Sequence, residues 1–123
     1  MAKHIVIIDD CRVTLAMLTD MLEDGGFRVS TAEDSVYSNH LIYTSSPPDL
    51  ILLDVMLPFM AGDKKANLLK TRDKSRNIPI LLISSKGEEE LLQLVARSGA
   101  NGFLKKPFSA DKLLNTVHMH LAA

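Results

Sequence analysis

Three aspartates, a serine and a pair of lysines stand where they could do chemistry together: Asp9 with Asp10, Asp54, Ser84, and Lys105 with Lys106. Each follows or ends a short apolar run, at 5–8, 50–53, 78–83 and 102–104. In an open parallel sheet the carboxyl ends of the strands are where ligands bind, so these groups converge if the runs are neighbouring strands. Three gathered carboxylates cannot all stay ionised unless a cation is present, and an oxygen-only set suits Mg2+. Neither G-x-G-x-x-G nor G-x-x-x-x-G-K-[ST] follows the first run. The loop there is acidic and would repel a phosphoryl group unless a divalent ion bridged the two.

The elements that must position these groups are legible as alternating strands and helices. The run from Leu50 to Leu53, opened by Pro47-Pro48-Asp49, reads as a strand buried on both faces, the centre of a parallel sheet. Asp54 ends it, and an ionised carboxylate there costs several kcal/mol unless it sits at the sheet's mouth with a cation or donors. Residues 5–8 form the first strand. A helix follows with Leu15, Leu18, Met21 and Leu22 inward, stopped by Gly25-Gly26. Residues 28–32 form a second, edge-lying strand. A helix over 35–43 uses Val36, Tyr37, Leu41 and Ile42 as its apolar positions, and a polar helix over 63–74 turns Ala66, Leu68 and Leu69 inward. Residues 78–83 form a fourth strand, with Pro79 at its start. The helix over 88–98 has Glu88-Glu89-Glu90 in its first turn and Gly99 as its stop. A fifth strand, 102–105, is turned by Lys106-Pro107-Phe108, and Ser109 caps a last helix carrying Leu113, Leu114, Val117 and Leu121. That last helix is expected to end in Leu121-Ala122-Ala123. This (βα)5 order gives an α/β doubly wound sheet with helices on both faces.

At 123 residues the chain fits one domain, long enough to bury roughly two thirds of its unfolded surface. Its formal charge of −1, with basic residues forming no stripe, offers no general attraction to nucleic acid or anionic lipid. The N-terminal segment is too short and too soon acidic for a signal peptide or membrane span, and the single cysteine, Cys11, fits a reducing compartment. A soluble, cytoplasmic protein is expected. Cys11 is read as a small buried or half-buried filler rather than a reactive thiol. His4, His40, His118 and His120 have no metal-ligand spacing.

Taken in order, Ile8-Asp9-Asp10, the run Pro48 to Pro58 with Gly62, Ile83-Ser84-Ser85, Gly99-Ala100 with Gly102-Phe103, and Leu104-Lys105-Lys106-Pro107-Phe108 resemble the receiver domain of two-component response regulators. The resemblance covers residues 1–123 and implies the flavodoxin-like strand order 2-1-3-4-5. It implies that Asp54 accepts a phosphoryl group from a phosphohistidine on a histidine kinase or histidine phosphotransfer protein. Asp10, with Asp9 through water, Asp54 and the backbone carbonyl of Met56 would hold Mg2+. Lys106, which precedes Pro107, would pair with the phosphoryl oxygens, and the Lys106-Pro107 bond is a candidate for the cis form. Ser84 would donate to the phosphoryl group, and Phe103 would rotate behind it as a switch. A downstream effector protein or output domain would read the change, with the chain a monomer or a phosphorylation-linked dimer. No direct nucleic-acid or membrane contact is implied.

Plainer roles compete. Asp54 could shape a turn, Asp9-Asp10 could cap the first helix, Ser84 could merely end a strand and Phe103 could be fixed core. Two functional rivals are an unphosphorylated pseudo-receiver scaffold and a small aspartyl-phosphate hydrolase. The hydrolase needs a second acid two places after its nucleophile, where Met56 stands. A scaffold has no need of a costly acidic cluster.

Overall fold

The computed structural model describes residues 2–121. The elements are β1 (His4–Ile8), α1 (Arg12–Asp24), β2 (Arg28–Ala32), α2 (Asn39–Ile42), β3 (Leu50–Asp54), α3 (Gly62–Thr71), β4 (Ile80–Ser84), α4 (Glu88–Ser98), β5 (Gly102–Lys105) and α5 (Ala110–His120). All strands are parallel, in the order β2-β1-β3-β4-β5. That is the expected flavodoxin-like order, and β3 is its centre.

The continuous apolar runs exist because strand side chains alternate between two covered faces. Val6, Ile8, Ile51, Leu53 and Leu82 point to one side, where Ile42, Ala66, Leu69, Leu91 and Leu94 of α2, α3 and α4 meet them. Ile5, Ile7, Leu50, Leu52, Leu81 and Ile83 point to the other and pack on Leu15, Leu18, Leu22, Leu113 and Val117 of α1 and α5. Truncating a fully buried member such as Leu52 to Ala costs about 2–5 kcal/mol. Register fixes the functional rim: Ile8 lies opposite Leu53, Asp54 opposite Ile83, and Ser84 opposite Lys105.

The second helix departs most from expectation. It is one turn, Asn39–Ile42, preceded by hydrogen-bonded turns rather than helix from Ser35. Val36 and Tyr37, expected inward, are exposed, while Ser35, Ser38 and Ile42 are buried. Side-chain bonds to the backbone compete with the helix: Tyr37 N–H donates to Asp34 Oδ1 at 2.7 Å, Ser38 Oγ to Ser35 O at 2.6 Å, and Ser35 Oγ to Met60 O at 2.9 Å. α3 stops at Thr71, short of Lys74, because Arg72 turns extended and Ser75 Oγ donates back to Leu69 O at 2.7 Å. Leu68 is only half-buried. α4 ends as expected at Gly99, in the left-handed region at φ 80°. Ser109 caps α5 through Lys112 N–H at 3.1 Å, and Leu121 lies just past its end. The expectation about the chain's end at Ala122 and Ala123 lies outside the described residues.

Candidate functional site

Asp9 directly follows β1 and is completely buried. Its Oδ1 accepts the Cys11 N–H at 2.9 Å and its Oδ2 faces Lys106 Nζ at 3.3 Å. Asp10, next in the chain, is exposed. Asp54, the last residue of β3, is 5% exposed, and its Oδ1 accepts the Met56 N–H at a long 3.4 Å. One carboxylate oxygen from each of the three aspartates lies within 4.8 Å of the others. The expected convergence is therefore present: Asp9 and Asp54 each bond the amide two residues on, as a turn-shaping aspartate does, but turn formation alone does not call for gathering three carboxylates.

Burial, then the charge of Asp9, push the Asp54 carboxyl up to about 6, with Asp10 adding and Lys106 and the Met56 amide opposing. One ammonium, already engaged by Asp9, leaves the cluster short of positive charge. A hard divalent cation matches an all-carboxylate donor set of this kind and would relieve the repulsion that raises Asp54. The side chains able to hold it are Asp9, Asp10 and Asp54.

Of the two lysines, Lys106 and not Lys105 reaches the cluster. Lys105 ends β5 with an exposed side chain, and Lys106 follows it, half-buried, ahead of a cis Lys106-Pro107 bond. Ser84 ends β4, buried at 3%. Its Oγ accepts the Lys86 N–H at 3.1 Å, which tightens the turn that follows β4. Phe103 lies opposite Leu82 in β5, partly buried against the core on the α3–α4 side. The structure thus places Asp9, Asp10, Asp54 and Lys106 together, Ser84 on the adjacent strand end, and Phe103 behind it.

Cys11 differs from the expected filler. It is exposed, at the N-terminus of α1, because its backbone amide is the part that faces inward, on Asp9. Its thiol is lowered chiefly by a hydrogen bond with Thr14. Sequence reading also missed how Gly62 supports the site. A Cβ there would collide with the Asp54 carbonyl and come within 2.8 Å of Val55 Cα, and its N–H donates to Val55 O at 2.9 Å. The signal was the glycine opening a helix four residues after Pro58, where glycine is otherwise unfavourable.

Comparison with known proteins places this arrangement. Residues 5–118 match the family model of the response regulator receiver domain. Over 118 residues the chain is 36% identical to the phosphate regulon transcriptional regulatory protein PhoB of Klebsiella pneumoniae, covering 95% of this chain and 51% of that protein. The chain thus spans about half the length of such relatives. It is 27% identical to the chemotaxis protein CheY of Halobacterium salinarum over all of both chains. The receiver domain of sensor histidine kinase PA1611 from Pseudomonas aeruginosa, whose structure has a magnesium ion coordinated in the active-site cleft, superposes with a TM-score of 0.87 at 22% identity, covering 98% of each chain. No helix among the described residues is long and apolar enough to cross a membrane. With the carboxylates at the carboxyl rim of a 2-1-3-4-5 sheet and a match over nearly its whole length, this chain belongs to the family of response regulator receiver domains.

Proposed function

We propose that the chain is a cytoplasmic phosphoryl acceptor and switch, with Asp54 the nucleophile and Mg2+ held by Asp10 and Asp54, by Asp9 through water, and by the Met56 carbonyl. The observation that carries this reading is the gathering of three carboxylates within 4.8 Å, with Lys106 entering from the far end of the chain. The magnesium in the cleft of the PA1611 receiver domain supports the choice of ion. When bound, Mg2+ supplies positive charge that draws the phosphoryl oxygens toward otherwise repellent carboxylates.

An Asp54 carboxylate oxygen attacks phosphorus in line. The O–P bond forms as the P–N bond to the donor's imidazole breaks, and the imidazole leaves with the bonding pair. Asp54 must be ionised to attack; with its carboxyl at about 6 the carboxylate already predominates near neutral pH, and a bound cation would favour it further. Lys106 then pairs with a phosphoryl oxygen, and Ser84 donates its hydroxyl to another. Ser84 can do so by turning from its contact with the Lys86 amide, which draws that loop inward and opens space for Phe103. The partners are a histidine kinase or histidine phosphotransfer protein upstream and an effector or output domain downstream.

Incubation with acetyl phosphate and Mg2+, read by intact mass, tests this. One acid-labile phosphoryl group per chain, absent in Asp54→Asn and absent with chelator, is expected. Repeated turnover of donor with no stable adduct would indicate a hydrolase, and no modification at all a scaffold.

A further inference from the structure

Away from the rim, α2, α3 and the β3–α3 loop enclose a cavity of about 80 Å³ whose lining includes Val36, Asn39, Tyr43, Met60, Lys65 and Arg72, and no acidic side chain. Lys65 is buried at 5% exposure, and the partner of its ammonium is the neutral Asn39 Oδ1. Burial, then Arg72, lower its pKa to about 8. Asp34 favours the charged form, but its Oδ1 is taken by the Tyr37 N–H at the head of the turn. Arg72 is held above the Tyr43 ring at 5.8 Å, its side chain exposed. A buried cation facing a second cation across a small cavity calls for an anion.

Around the cavity the surface is apolar without need. Phe59 is 88% exposed with φ 69°, a left-handed conformation that a bulky side chain seldom takes. Neighbouring Met60 lines the cavity, and Val36 and Tyr37 are exposed because Ser35 and Ser38 took the inward positions. Residues 62–76 carry six basic and two acidic residues in a chain of net charge −1. They form no stripe: Lys70 is bound to the Ile78 carbonyl at 2.8 Å and Arg76 to Asp73 at 3.5 Å. Lys64 lies with Asp63 and Arg97 at another hollow and Lys74 with Thr44 and Pro47 at a third, so of the six only Lys65 and Arg72 line this cavity with its apolar rim. That pattern fits an acidic peptide better than the evenly charged backbone of a nucleic acid.

We propose that this face docks a partner protein's segment in which an Asp or Glu flanked by apolar side chains seats its carboxylate between Lys65 and Arg72 and covers Phe59, Val36 and Tyr37. The site is separate from the phosphoryl rim, and its occupancy does not depend on chemistry at Asp54.

Panning a phage-displayed random heptapeptide library against the intact protein tests it, with enriched peptides mapped by amide NMR shifts. Expected are peptides carrying an acid between apolar residues, perturbing residues 35–43 and 59–72. Replacing the acid by its amide, or Arg72→Gln in the protein, should weaken binding about tenfold, and Phe59→Ser should weaken it severalfold. Arg72 and Phe59 are exposed, so both variants keep the fold even if Lys65→Met does not. No enrichment, peptides lacking an acid, shifts on another face, equal competition by a polyanion without apolar groups, or self-association of the chain through these residues would each overturn the proposal.

Discussion

Lys106 Nζ and Asp9 Oδ2, 97 residues apart in sequence, meet at 3.3 Å across the carboxyl rim of the sheet. Among the described residues, the ammonium that reaches the cluster is thus placed on the fully buried carboxylate, and Asp54 feels it only through space. Because Lys106 lowers Asp54 while Asp9 raises it, Lys106→Met is expected to move the Asp54 carboxyl above about 6. Carboxyl carbon NMR shifts followed over pH in chelated buffer measure this, and an unmoved midpoint would contradict the pairing.

The raised Asp54 carboxyl has a consequence for stability. Its folded value of about 6 exceeds the 3.8 of an exposed aspartate, so the folded chain binds more protons between those limits. Stability without metal therefore falls as pH rises from roughly 4 to 6 and stays low above that. Asp54→Asn removes the charge and keeps the shape. It should stabilise the metal-free protein by about 1–2 kcal/mol near neutral pH, after discounting for water at the site mouth, and by much less near pH 4. Urea denaturation at both pH values decides; a destabilised Asn variant near neutrality would refute the account.

Strands β1, β3 and β4 were legible because they are buried on both faces, which leaves runs such as Leu50 to Leu53 with no polar residue to blur their bounds, and because Asp9, Asp54 and Ser84 follow or end them. Helix two was not. Its apolar residues at Val36 and Tyr37 satisfy a helical count, yet the outcome was decided by serine and aspartate side chains bonding to their own backbone, a choice that periodicity does not register. The cavity at Lys65 was missed for a related reason. A lysine four residues before Leu69 is inward by spacing, but charge alone argues for solvent. Cys11 was misplaced because its amide and not its thiol does the inward work.

Magnesium should stabilise the wild-type chain in proportion to the logarithm of its concentration above the dissociation constant. Asp10 is exposed, and no ion pair holds it among the described residues. Asp10→Asn is therefore expected to leave the metal-free fold as stable as wild type, or slightly more so, while weakening Mg2+ binding about tenfold or more. Thermal midpoints at increasing Mg2+ separate the two effects. A variant responding to the ion as wild type does would remove Asp10 from the ligand set.

Gly62 joins the start of α3 to the end of β3 with no room for a methyl group, since the obstruction is the Asp54 carbonyl and Val55 backbone and not a movable side chain. Gly62→Ala should cost about 2–4 kcal/mol. It should also slow phosphoryl labelling of the molecules that remain folded, because any relief moves Asp54, the proposed nucleophile. Denaturation and labelling rates on the same sample test both, and a stable, normally labelled Ala variant would show the contact to be yielding.

Met56 stands two residues past Asp54 and is 64% exposed, and its backbone amide is already directed at Asp54 Oδ1. A water attacking the phosphorylated Asp54 must pass this mouth, and a thioether offers it only a weak acceptor. Lys86 Nζ is paired with Glu90 at 3.4 Å, a contact that competes with any it could make to a water. The phosphorylated form should persist for minutes or longer. Met56→Asn supplies a donor and an acceptor at the same place and should shorten that lifetime severalfold without changing the rate of labelling, because the amide can position water but meets the incoming donor no differently. Phosphate release after removal of acetyl phosphate measures the lifetime. A half-life of seconds that the Asn substitution leaves unchanged would mean that access of water is controlled elsewhere on the rim.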